Sequence, residues 1–341
     1  MSGPNDPASG PHRRRVLLDI SPLRQDRDFR RLWSGQVVNQ VGNQITRLAL
    51  PYQIYAQTGS TLAIAALALF QLVPLVAFSL GAGSIVDVVD RRKLLIRTQI
   101  GLMACSGLLF VLSLQGSVPL VILFAIAFLS AAIGSLDQPA RWSSTARLVP
   151  ASRLPAAIAL NQLNITTAAV VGPTVAGLII ASAGLPIAYL ADFLTFVAAL
   201  VALVGMAPLP PVASATRPGL AAIREGLRFA FGRRVILSTY VIDLNAMIFG
   251  LPVSLFPALA LDVFHAGPEG LGLLAAAPAV GAMLGALFSG WVARVRRVGR
   301  AVIVSVAVWG IAITLFGLAQ FSFPLALLCL AVAGAADITS A

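Results

Sequence analysis

Apolar runs of about 20 residues recur from one end of this chain to the other, and nothing else in the sequence constrains its fold as strongly. A run of that length spans the hydrocarbon core of a bilayer as a helix. Within lipid, only helices and closed barrels satisfy their own backbone polar groups, and barrel strands need just about 10 residues. Runs this long therefore predict an all-α membrane protein. Composition agrees, with 11% charged and 58% hydrophobic residues. A soluble domain needs roughly 25% charged residues to cover its surface.

Ten spans are expected, at about 32–57, 61–86, 94–114, 119–141, 154–182, 186–207, 234–262, 268–293, 301–320 and 323–341. Turn residues separate several of them: Thr58-Gly59-Ser60, Gln115-Gly116-Ser117, Ala183-Gly184 and Ala266-Gly267-Pro268. Threading the spans back and forth puts 23 of the 24 basic residues on the N-terminal side, and only Arg47 falls inside a span. Basic loops stay in the cytoplasm, so the expected location is the bacterial inner membrane, multi-pass, with the N-terminus cytoplasmic. The net charge of +11 would suggest nucleic acid in a soluble protein, but here it flanks spans, and no nucleic-acid partner is expected.

Residues 1–27 read as a disordered cytoplasmic tail, opening on Pro, Gly and Ser. The apolar stretch Val16–Ile20 is too short for a signal-peptide core. Residues 28–207 hold six spans. Residues 208–233 read as a cytoplasmic linker, where Leu220, Ile223 and Leu227 alternate with Arg224 and Arg228 in an amphipathic helical pattern. Residues 234–341 hold spans seven to ten. Cys105 and Cys329 sit in apolar runs and read as packed small hydrophobes, so no disulfide and no metal site is expected. His12 and His265 have no chemical company that suggests a role.

The two parts echo each other. Gly83-Ser-Ile-Val-Asp87 with Arg91-Arg92-Lys93 follows span two, and Gly290-Trp-Val-Ala-Arg294 with Arg297 follows span eight. Gly134-Ser-Leu-Asp137 ends span four, and Gly334-Ala-Ala-Asp337 ends span ten. Halves related in this way are a mark of transporters. If they are equivalent, the second bundle is incomplete, and a further roughly 70–80 residues are expected beyond Ala341. The alternative is a truncated membrane fragment that does not transport.

These residues resemble the major facilitator superfamily, in its bacterial exporter branch that includes the enterobactin exporter. The loop motif G-x-x-x-D-x-x-x-R-R/K is matched by Gly83, Asp87, Arg91 and Arg92, with Asp90 where the family often has Gly. The antiporter motif G-P-x-x-x-G is matched by Gly172, Pro173 and Gly177. Asp137-Gln-Pro-Ala-Arg141 and Phe249-Gly-Leu-Pro-Val-Ser-Leu-Phe-Pro257 are similar to the same branch. The resemblance implies a fold of two six-helix bundles, here about ten helices, and alternating access driven by the proton gradient, with no bound cofactor. It implies a monomer whose partners are the bilayer and a small amphipathic substrate, a drug or a siderophore. It also implies that Asp87 with Arg91 and Arg92 gates the cytoplasmic side. Read from charge alone, the same arginines are topology anchors.

Charges inside spans are expensive unless paired or facing water, which makes Arg47, Asp137, Asp192 and Asp243 the leading site candidates. Arg47 keeps its proton and needs a carboxylate or an anion, with Asp192 and Asp243 as candidate partners. A carboxylate in a cavity can carry the coupling proton. Asp137 has Arg141 one turn away, which reads as a structural pair. On span one, Asn39, Asn43 and Arg47, beside Gln36, Gln40 and Gln44, are spaced by fours and expected on one face turned to a cavity. Asn161, Gln162, Asn164 and Thr166 form a similar patch on span five. The sequence contains no paired carboxylates, Ser/His/Asp set, HExxH or phosphate loop, so an enzyme is not expected.

Overall fold

The structure is a computed structural model describing residues 19–210, 228, 231–233, 237, 252–288 and 298–340. Among them, every regular element is helical. The first half holds α1 (Ser21–Gln25), α2 (Arg27–Thr58), α3 (Thr61–Val88), α4 (Arg91–Ser113), α5 (Leu120–Leu148) and α6 (Leu154–Val204). The second holds α7 (Val253–Val263), α8 (Gly267–Phe288), α9 (Val298–Leu318) and α10 (Phe323–Ser340).

Local chemistry sets the ends. Gly59 closes α2 in the left-handed region at φ 60°, and its N–H donates to the Tyr55 carbonyl at 2.7 Å. A glycine takes that conformation without the Cβ clash other residues meet. α6 contains two expected spans in one continuous element, with a break at Gly184, where φ is 81° and ψ is 175°. Its two arms, residues 154–183 and 185–204, match the fifth and sixth spans. Asp90 caps α4, its carboxylate accepting from the Lys93 N–H at 3.1 Å. The residue that departs from the family loop is thus the one that starts the next helix.

Span seven departs from the regular helix expected. Its described part is three residues of 3₁₀ helix, three of α-helix and five of π-helix. Pro252 and Pro257 lie in this stretch, and each removes a backbone donor. The remainder of span seven, with Asp243, and the amphipathic linker pattern with the Gly290–Arg297 echo lie outside the described residues.

Burial is inverted relative to a soluble protein. Leu62, Val121, Val201 and Ile303 are each at least 70% exposed, whereas Gln53, Gln99, Ser144 and Asp192 are nearly fully buried. Only lipid makes this pattern favourable. Helices α3, α4, α5, α6 and α8 are long and apolar enough to cross a bilayer. α2 is too polar to qualify on hydropathy, because its Asn, Gln and Arg residues are needed inside the bundle.

In the first half α3 packs on α5, α4 packs on α5 and α6, and α2 runs along both arms of α6. In the second, α8 packs on α10 and α9 on α10. Spans two and four therefore pair as spans eight and ten do, which is the packing the repeated motifs imply. Gly281 against Ala331 and Gly334 against Pro278 bring α8 and α10 into backbone contact.

Candidate functional site

Helix ends carrying Arg24–Arg31, Arg91–Arg97 and Arg141–Arg153 share one face of the first half, the basic face. Arg91 donates to Ser143 Oγ of α5 at 3.0 Å. Arg92 donates to the Leu203 and Val204 carbonyls at 3.2 and 2.7 Å, capping the C-terminus of α6. Arg31 donates to the Gly205 carbonyl and Arg147 to that of Pro210. Cations belong at a helix C-terminus, where carbonyls lack partners and the dipole is negative. These bonds hold residues 205–210 under the bundle, with Met206 and Leu209 packed against Leu32, Leu94 and Leu95. Arg91 and Arg92 thus tie the first half to itself. Gly83 and Asp87 fall on the last turns of α3, and their side chains lie outside the described residues.

Deeper in, Asp137 forms a buried ion pair with Arg141 at 2.5 Å and accepts from Thr98 Oγ1 at 2.6 Å and Gln99 Nε2 at 3.3 Å. Asn161 donates to Thr145 Oγ1 at 3.2 Å nearby. This cluster joins α4, α5 and α6, and the buried ion pair with its hydrogen bonds has the geometry of a clamp between helices. Asn164 is also buried among helices.

The second buried carboxylate is different. Asp192 on the later arm of α6 is 1% exposed and accepts from Thr46 Oγ1 at 2.6 Å and Ser106 Oγ at 2.9 Å. No described cation pairs with it, and its Oδ1 has no hydrogen-bond partner. One turn along, Tyr189 donates to Gln53 Oε1 at 2.6 Å. Thr46, Ser106, Gln53 and Tyr189 were not anticipated. A lone hydroxyl within an apolar run, and the i, i+3 spacing of Tyr189 and Asp192, are the signals that would have found them.

Of the two candidate partners for Arg47, Asp192 does not pair with it, and Asp243 lies outside the described residues. Gly35 and Gly42 of α2 abut Ala199 and Thr195 of the later arm of α6, and Thr46 shares that face. Residue 47 is turned about 100° away by the helix repeat. For the same reason the Asn39, Asn43, Arg47 series is not one straight stripe, because each step of four drifts about 40°. Buried Asn39 lies on the Gly35–Gly42–Thr46 side, and Arg47 lies on the other.

That other side opens on a cavity of about 300 Å³ between α2 and the first arm of α6 on one flank and α7 and α8 on the other. Gln44 and Arg47 are its polar lining, against Leu48, Pro173, Phe256 and Leu271 among other apolar residues. Arg47 is exposed there, with no ion pair or hydrogen bond to any described residue. A second cavity of about 290 Å³ lies between α7 and α9, carries no charged side chain and stays within one half.

Away from the basic face, the seam between halves is shut. A Cβ on Gly177 would stand 2.5 Å from the Pro268 carbonyl oxygen and 3.2 Å from Gly272 Cα. The Gly172-Pro173-x-x-x-Gly177 motif thus lets α6 touch α8 backbone to backbone. Tyr55 donates to Asp262 across the same seam, and one apolar cluster unites Ile54 and Ile180 with Phe256, Leu271 and Leu274. The apolar clusters of the basic face, around Leu95 and Leu160, draw only on the first half among the described residues.

Two packed helical halves with a chamber at their seam define a membrane transporter of the major facilitator type. The chain belongs to the transmembrane secretion effector family, which it matches over residues 18–341. It is similar to the enterobactin exporter EntS of Citrobacter koseri, with 30% identity across 95% of this chain and 77% of that one. Similarity to macrolide efflux protein A of Streptococcus pyogenes is 24%, across 90% of this chain and 77% of the relative. In fold it resembles the inward-facing crystal structure of a bacterial homologue of the iron transporter ferroportin. The TM-score there is 0.63 at 17% identity, covering 92% of this chain and 81% of that one. The family is one of membrane transporters rather than an enzyme class.

Proposed function

We propose that this protein is a proton-coupled exporter of a small amphipathic molecule, a drug or a siderophore, working by alternating access. The observation that carries this is the chamber at the seam, lined by apolar side chains and a guanidinium with no partner among the described residues, and closed by the α6–α8 contact on the side away from the basic face. A site between two halves that closes at one end is what alternating access requires. The efflux proteins among its relatives favour export over import. The arginines on one face support an inner-membrane placement with that face cytoplasmic. In that orientation the chamber loads from the cytoplasm.

Asp192 is the proton carrier in this reading. A carboxylate buried with no counter-ion among the described residues is costly while ionised, and its Oδ1, which accepts no hydrogen bond from a described residue, leaves a place for a proton. Thr46 accompanies it on the turn of α2 that also bears Arg47, so protonation and substrate binding act on the same helix. In proteoliposomes, Asp192→Asn should retain downhill flux but lose at least tenfold of the flux driven by a pH gradient. Unchanged gradient-driven flux would remove Asp192 from the proton path.

A further inference from the structure

We infer that the chamber selects substrates bearing an acidic group, a carboxylate, phosphate or ionised phenol, on an apolar body; this rests on the transporter reading above. Arg47 keeps its charge at any physiological pH and points five donors from one planar fork. In the middle of a spanning helix such a group is stable only when paired or wet. Of the two candidate carboxylates, Asp192 sits about 100° around α2 from Arg47, held by Thr46 and Ser106, and Asp243 lies outside the described residues. Arg47 instead faces the chamber, where, among the described residues, Gln44 is the only other polar lining and no acidic side chain reaches.

Among the described residues the chamber is thus an apolar pocket with one fixed positive charge at its wall. A cationic amphiphile entering it meets like charge in a medium that screens poorly. A neutral one offers the guanidinium at most an uncharged acceptor, a weaker contact than a charge-assisted one. An anionic one gains a two-pronged, charge-assisted contact while Leu48, Phe256 and Leu271 cover its apolar part. A charge-assisted contact of this kind supports a preference of about ten- to a hundredfold.

The test uses the full chain in nanodiscs and three radiolabelled probes with one apolar body: 2-naphthoate, 2-naphthamide and 2-naphthylmethylamine. The expected order is naphthoate at least tenfold tighter than the amide, and the amine weakest. Arg47→Gln should erase that order, weakening naphthoate at least tenfold more than the amide, and Arg47→Lys should restore part of it. Equal binding of all three, preference for the amine, or no binding of any would overturn the proposal. Asp243 is covered by a double variant: if Asp243 neutralises Arg47, Arg47→Gln will lower folded yield and adding Asp243→Asn will restore it, which also overturns the proposal. Gradient-driven efflux is measured separately, so a failed charge preference with intact efflux leaves the exporter standing. A preserved preference without efflux removes the exporter instead.

Discussion

Gly177→Val should cut transport at least fivefold while the protein still inserts and folds. The site has no room: a single Cβ already stands 2.5 Å from the Pro268 carbonyl oxygen and 3.2 Å from both Glu269 Cα and Gly272 Cα. These neighbours are backbone atoms of α8, so no side chain can swing aside. Overpacking of this kind costs about 1–3 kcal/mol. The cost falls only on the state in which α6 and α8 touch. It therefore shifts the balance between conformations by roughly five- to a hundredfold without unfolding either half. Gly134→Ala is the control, because a Cβ there meets nothing within 4 Å. Flux in proteoliposomes, normalised to protein incorporated, measures both variants. Wild-type flux in Gly177→Val would mean that the α6–α8 contact is not part of the cycle.

Arg141→Leu should instead destabilise the fold itself, by about 3–5 kcal/mol, the usual cost of leaving one member of a buried ion pair unpaired. The side chains of Arg141 and Asp137 are 6% and 11% exposed, and their contact is 2.5 Å. Without the guanidinium, Asp137 keeps Thr98 and Gln99 as donors but has no counter-charge. The double variant Arg141→Leu with Asp137→Asn should recover most of the loss, since both charges then leave together. Thermal unfolding of the purified protein in detergent checks this. Equal destabilisation in the single and double variants would show that the pair is held for something other than charge balance.

Much of this architecture is legible in the residues because lipid imposes simple rules. Apolar length locates the spans, and arginines mark one face. Gly59 and Gly184 mark breaks that only a positive φ makes comfortable. Asp137 with Arg141 is legible as well, since four residues along a helix bring two side chains together whatever surrounds them. Pairings between helices are harder, because they depend on rotation about each axis. Arg47 and Thr46 are neighbours in sequence, yet one faces the chamber and the other Asp192. Nothing in the spacing of α2 alone decides which of the two meets α6. Gly35 and Gly42 do point to the close-packed side, since small residues mark where helices touch. The mixed 3₁₀, α and π turns of α7 were hidden for another reason: Pro252 and Pro257 signal interruption without saying which helix type replaces the regular one.

In the proposed cycle the two halves rock about the chamber, opening and closing the seam where Tyr55 meets Asp262. Cysteines placed at these two positions, with Cys105 and Cys329 replaced by serine, allow the seam to be locked shut by a short thiol cross-linker. Cross-linking should stop flux through proteoliposomes almost completely, and cleaving the linker should restore it. Undiminished flux in the cross-linked protein would contradict alternating access at this seam.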